Sequence, residues 1–135
     1  MGSITVESFY AVPPEKVWRT ITEPELIAKW LMPNNFRAEP GAEFTLTSRP
    51  VGGWDGTAYC KVLEIEAPRL LVYSWKSNII DTIVRFELEA RDGGTYIRFE
   101  QSGFAAKGNF MAKLFMGMGW KSMIRKQIPK LAKGL

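Results

Sequence analysis

The sequence predicts an α+β fold: a curved antiparallel sheet of about six strands wrapped around one long C-terminal helix, with two short helices after the first strand. Three observations point there. From Ala105 to Leu135 apolar residues recur at helical spacing, with Phe110, Leu114, Ile124, Ile128, Leu131 and Leu135 on one stripe. Met111, Phe115 and Met118 widen that stripe, and Met116, Trp120 and Met123 form a second flank, so the helix is apolar over more than half its girth and needs cover on more than one side. Between Gly41 and Gln101, five runs alternate in period two and are bounded by Gly, Pro or Asp, which supplies the cover. Finally, two helix-start signals follow the first alternating segment.

The elements follow in order. Ile4 to Tyr10 reads as a strand. Pro13 and Pro14 open a helix, since its first turn has no use for their missing N–H, and Val17, Trp18 and Ile21 are its inner side. Thr22-Glu23-Pro24-Glu25 has the form of a capping box, with Thr22 as N-cap, and starts a second short helix carrying Leu26, Ile27 and Trp30. Pro33, Asn34 and Asn35 end it. Gly41 to Ser48 is a strand with Phe44, Leu46 and Ser48 on one face, and Pro50 to Gly56 a turn or bulged loop. Thr57 to Glu66 follows, with Tyr59, Leu63 and Ile65 on the inner parity. Lys61 shares that parity, so it either reaches inward or is turned out by a bulge near Gly56. Leu71, Tyr73 and Trp75 form an aromatic face. Thr82, Val84, Phe86 and Leu88 then alternate with polar or charged neighbours, and Arg91-Asp92-Gly93-Gly94 turns into a partner strand with Ile97 and Phe99 inside. Ser102-Gly103-Phe104 breaks this strand before the long helix. Within that helix Gly108, Gly117 and Gly119 each cost about 1 kcal/mol relative to Ala, which close helix–sheet packing would explain, the alternative being a hinge or thin wall beside a cavity at Gly117 to Gly119, flanked by Met116, Met118 and Met123; Pro129 should kink or end the regular part near Ile128.

Length and composition bound the function. At 135 residues the chain is expected to form one domain, 1–135. The single cysteine, Cys60, excludes an internal disulfide, and the absence of His removes the commonest general base and zinc ligand together with Ser-His and Cys-His nucleophiles. No cofactor or metal is called for. The chain has no run long enough for a membrane span and no signal segment, so a cytoplasmic protein is expected. Charge is uneven: residues 1–100 hold 11 Lys/Arg against 14 Asp/Glu, whereas residues 101–135 hold 7 Lys/Arg and no acid. A solvated helix back, its cations favoured by the C-terminal dipole, is the expected origin, in preference to an anionic-membrane or nucleic-acid face. No specific nucleic-acid partner is expected, because no aromatic-basic stacking platform accompanies the cations.

Val17-Trp18, Thr22-Glu23-Pro24-Glu25-Leu26, Lys29-Trp30, Gly41, Val62-Leu63-Glu64-Ile65, Pro68-Arg69-Leu70, Ser74-Trp75, Gly94-Thr95, Ser102-Gly103-Phe104 and Gly119-Trp120 together resemble the SRPBCC superfamily. Within it the chain is most similar to the family named after the C-terminal domain of the Aha-type activator of the heat-shock chaperone ATPase. The resemblance implies a START-like, Bet v-allergen-like helix-grip fold that holds lipids, sterols or polyketides between sheet and helix. Some members are cyclases or hydrolases. The chaperone-activating role is expected to depend on segments additional to this domain.

The expected activity is therefore binding of an apolar or aromatic small molecule in a cavity between sheet and C-terminal helix. The candidate lining is Trp30, Phe44, Leu46, Ser48, Tyr59, Tyr73, Trp75, Val84, Phe86, Ile97, Phe99 and Gln101, facing Met116, Trp120, Met123 and Ile124. Gln101, Ser48, the Tyr hydroxyls and the Trp N–H groups would orient a guest; alternatively these side chains fill the space themselves. Two other readings stand beside it. One is a cyclase- or hydrolase-type enzyme using Asp55, Asp81 or Glu43 as base and a Tyr as acid, without a recognisable catalytic motif. The other is a chaperone-linked interaction module or homodimer using exposed sheet or helix surface.

Overall fold

The computed structural model describes residues 2–105 and 108–135. Its elements are β1 (Gly2–Tyr10), α1 (Pro14–Thr22), α2 (Pro24–Trp30), β2 (Glu43–Thr47), β3 (Thr57–Glu66), β4 (Leu70–Lys76), β5 (Asp81–Arg91), β6 (Gly94–Phe104), α3 (Phe110–Ser122), a π-helical turn (Met123–Gln127) and α4 (Ile128–Lys133). The six strands form one antiparallel sheet in the order β1-β6-β5-β4-β3-β2. Consecutive strands from β2 to β6 pair as hairpins, while β1 crosses the helices to close the far edge beside β6. This is the predicted α+β helix-grip architecture.

Four local readings need correction. Thr22 does not cap α2: it is the last residue of α1, and its hydroxyl donates to the Trp18 carbonyl at 2.6 Å. Pro24 forces the residue before it out of the helical region, so Glu23 is extended (φ −91°, ψ 125°) and becomes the boundary, without a side-chain cap. The strand is not broken at Ser102-Gly103-Phe104; β6 runs through all three. Gly103 absorbs a bulge against β1 at φ +103°, where a Cβ would also stand 3.1 Å from the Asp81 carbonyl oxygen.

The third correction concerns β3. Ala58, Cys60 and Val62 are its inner residues, whereas Tyr59 and Lys61 point outward. The bulge that reconciles this with the inward-leaning Ile65 lies between Val62 and Glu64, with Leu63 as the extra residue, and not near Gly56.

The fourth is the long helix. Its predicted start falls partly on residues 106 and 107, outside the described residues; Ala105 and Gly108 are not helical, and α3 begins at Phe110. Pro129 does not end it. The helix instead widens into the π turn, in which the Ile128 N–H bonds to the Met123 carbonyl, and resumes as α4 with Pro129 in its first turn. That shift deprives the Ile124 carbonyl of Ile128, its ordinary donor, and the next residue in line, Pro129, has no N–H to offer. The Tyr10 hydroxyl, brought in from the end of β1, donates to it instead.

The core is continuous from the inner sheet face through α1, α2 and the C-terminal helix, and it is rich in rings. Trp120 stacks on Phe99 with centroids 4.1 Å apart, and Trp75, Trp30 and Phe86 meet it at 5.9, 6.1 and 6.1 Å. Phe36, Phe44 and Tyr73 form a second group, with Phe44 5.1 Å from Tyr73.

Candidate functional site

The alternation of β4, β5 and β6 places most of the predicted lining on one face. Trp30, Phe44, Leu46, Tyr73, Trp75, Val84, Phe86, Ile97, Phe99, Gln101, Trp120 and Ile124 are all buried, and Met116 and Met123 are half-buried against them. Two predicted residues are not brought in. Tyr59 is 60 % exposed on the outer face because the β3 bulge comes after it, and Ser48 lies beyond the end of β2, exposed.

Trp120, Gln101 and Thr82 on this face are linked in a chain of hydrogen bonds. Trp120 Nε1 donates to Gln101 Oε1 at 2.9 Å, Gln101 Nε2 to Thr82 Oγ1 at 2.9 Å, and Thr82 Oγ1 to the Trp75 carbonyl at 2.9 Å. Trp30 Nε1 donates to the Thr20 carbonyl at 2.8 Å. Among the described residues no buried side-chain nitrogen or oxygen lacks a partner. The chain Trp120–Gln101–Thr82 thus closes on itself, and Trp120 has no exposed surface at all. Between the C-terminal part of the helix and the sheet, Trp120, Ile124 and Ile128 have no exposed surface, and Trp120 packs directly on the rings of Phe99 and Trp75. Thr82 belongs to this network and Tyr10 to the separate bond at the π turn, and neither stands among the predicted lining residues. Tyr10 ends a weakly alternating strand and Thr82 opens a clean one, so only the inward parity of each could have flagged it.

Burial also fixes the chemistry of the interior. It pushes the Cys60 thiol up to about 12, so the thiolate is scarce at neutral pH, and it raises the Tyr10 and Tyr73 phenols above their ordinary range, with a smaller contribution from Cys60 at Tyr73. None of these is poised as an acid, base or nucleophile. The three carboxylates considered for catalysis lie outside: Glu43 on the outer face of β2, Asp55 in the β2–β3 loop with Oδ1 accepting from the Thr57 N–H at 3.1 Å, and Asp81 exposed at the start of β5.

Open space lies at the margins. A groove of about 340 Å³ runs between β1 and α3, where Ile4, Phe110, Leu114 and Met118 provide apolar walls, Ser3 and Thr5 one polar edge, and Lys113 and Lys121 two cations. Gly117 forms part of its floor: a Cβ there would come no nearer than 3.9 Å to Ile4 Cγ1, so the glycine is not demanded by close packing. A second depression of about 310 Å³ lies on the outer sheet face and includes Glu43, Thr45, Tyr59, Lys61 and Lys76.

This geometry has relatives. The sequence profile described as Activator of Hsp90 ATPase homolog 1-like protein matches residues 11–133. The chain belongs to that AHSA1-like family. Among solved structures, this AHSA1-like chain is similar to protein MLL2253 from Mesorhizobium loti, with 32 % identity and a TM-score of 0.88 over 98 % of this chain and 97 % of that one. It is similar to Bacillus halodurans protein BH1534 at 25 % identity and TM-score 0.82, covering 98 % and 97 % of the two chains. The fold is shared with the Aha1 dimer from Colwellia psychrerythraea at 20 % identity and TM-score 0.77, covering 92 % and 91 %. No curated protein matches the chain. Among the described residues, no helix of this AHSA1-like domain is long and apolar enough to cross a membrane.

Proposed function

We propose that the chain binds a hydrophobic small molecule with an anionic head, at the mouth of the helix grip where α3 leaves β1. The observation that carries this reading is the β1–α3 groove: its volume of about 340 Å³ falls within the roughly 300 to 1,000 Å³ typical of small-molecule sites. Apolar walls would hold the body of the guest, while Lys113 and Lys121 would meet a carboxylate, sulfonate or phosphate. The inner-face residues of the sequence-predicted site act in this reading as the fixed support: Trp75, Phe99 and Trp120 clamp the helix just beyond the groove. Half-buried Met116 and Met123 supply adaptable packing for a larger guest. A helix-grip fold whose relatives cover the whole domain is consistent with this use.

The test is a fluorescence titration with 1-anilinonaphthalene-8-sulfonate, an aromatic body with an anionic sulfonate. Saturable binding is expected to weaken by roughly tenfold in Gly117→Met, which fills the groove from its floor, and several-fold in Lys113→Gln/Lys121→Gln. Wild-type binding that does not saturate, or binding untouched by Gly117→Met in a variant of unchanged melting temperature, would remove the reading.

A further inference from the structure

The outward side of α3 is apolar. At about 3.6 residues per turn, Phe110, Leu114, Met118, Met111 and Phe115 fall in one arc, opposite the arc that carries Trp120, Met116 and Ala112. Their exposures are 69, 47, 61, 54 and 60 %. Only Lys121 and half-buried Ser122 share that arc. A surface helix ordinarily turns such residues inward and its charges outward, whereas this one is apolar on both sides.

The charges around it have one sign. Between Gly108 and Leu135 the chain carries Lys113, Lys121, Arg125, Lys126, Lys130 and Lys133 and no acid, and all but Lys113 are exposed. The ion pairs found among the described residues lie elsewhere in the chain. The helix therefore offers an apolar strip continued at its C-terminal end by unpaired cations.

We propose that this face of α3 docks on an anionic lipid bilayer, its five large side chains entering the headgroup boundary and its cations meeting lipid phosphates. Charge and area both select that occupant. A second copy placed on the strip would add like charge to like charge, with no acid between Gly108 and Leu135 of either copy to answer it. At exposures of 47 to 69 % the five side chains present on the order of 500 Å² of accessible surface between them, short of the roughly 800 Å² each partner buries in a stable protein interface. A bilayer asks for less: a few large side chains at shallow depth plus Coulomb attraction suffice for reversible binding of an amphipathic helix. The cations are exposed, as a solvated helix back requires, and the proposal adds a lipid surface as what they meet, because they flank an exposed apolar strip.

Phe110, Leu114, Met118 and Lys121 also line the groove, so the two readings are separated at Met111 and Phe115, which belong to the strip alone. The experiment is co-sedimentation with phosphatidylcholine vesicles, with and without phosphatidylglycerol. Wild-type protein is expected to pellet with the phosphatidylglycerol-containing vesicles and to be released as salt is raised. Met111→Gln/Phe115→Gln should weaken this by roughly tenfold or more, and Lys121→Gln/Lys126→Gln/Lys130→Gln should erase the preference for the anionic vesicles. Equal retention by the neutral vesicles, or unchanged binding by Met111→Gln/Phe115→Gln, would overturn the proposal. So would a concentration-dependent dimer in light scattering that the same double variant dissociates, which would assign the strip to a second copy. Near-ultraviolet circular dichroism of the buried Trp residues checks that each variant is folded.

Discussion

The two ends of the C-terminal helix have similar apolar content and opposite fates. Trp120, Ile124, Ile128 and Ala132 have no exposed surface, whereas Phe110, Met111, Leu114, Phe115 and Met118 are between 47 and 69 % exposed. What differs is the neighbour: the part from Trp120 onward lies against the ring cluster of the sheet and against α1, while the earlier turns of α3 lie beside the edge strand β1. Apolar content therefore gives the helix but not its cover. In one half it measures stability, and in the other it is surface available for binding.

The contrast can be broken most severely at Trp120. Trp120→Ala removes the ring on which Phe99 stacks and is expected to cost about 3 to 5 kcal/mol in urea unfolding. A loss under about 1 kcal/mol would mean that the buried half is held elsewhere. Next comes Gln101→Met, close in volume but unable to serve either partner. It strands the Trp120 N–H and alters the Thr82 hydroxyl's pairing, at an expected cost of about 1 to 3 kcal/mol. Tyr10→Phe should be milder, about 1 kcal/mol, because it removes one hydrogen bond to the Ile124 carbonyl. If the π turn owes its need for Tyr10 to the missing N–H of Pro129, then Tyr10→Phe should cost less in a Pro129→Ala background. An additive double-mutant cycle would break that link.

The sequence was legible wherever one local rule acted alone. The period-two runs of β5 and β6 placed Val84, Phe86, Ile97 and Phe99 on the inner face, and Leu71, Tyr73 and Trp75 declared β4 in the same way. Legibility failed where a distant partner decided. Tyr59 was assigned to the interior because Leu63 and Ile65 share its parity, and only the bulge at Leu63, set by pairing with β4, reverses the face between Tyr59 and Ile65. Pro129 marks an interruption of the regular helix, which the π turn bears out, but not its form, because the compensating donor, Tyr10, lies at the other end of the chain. An all-round apolar helix carries no mark of which side will be covered, so nothing in the sequence separates exposed Phe110, Met111, Leu114, Phe115 and Met118 from buried Trp120 and Ile124. The groove was missed for the same reason: its walls looked like core.

At Gly117 the comparison can be sharpened in the stabilising direction. Close packing against the sheet was the expected reason for a glycine, yet a Cβ there would make only ordinary contact with Ile4. Gly117→Ala should therefore raise stability by up to about 1 kcal/mol, read as a higher urea midpoint with an unchanged slope. A loss of stability would mean that the helix sits closer to β1 in solution than the structure places it.

The smallest effect is the most discriminating. Met111→Gln/Phe115→Gln deletes as much apolar side chain as a severe core mutation, yet both residues face water, so unfolding free energy should move by no more than about 0.5 kcal/mol per site. The two halves then separate cleanly: Trp120 carries fold stability, while Met111 and Phe115 carry almost none. A loss above about 2 kcal/mol for this pair would show that the strip is covered within the folded chain in solution. The halves would then be alike, and the basis for an outward-facing docking surface would disappear. A near-zero change, measured on the same variant that loses vesicle binding, ties the exposed strip to association rather than to folding.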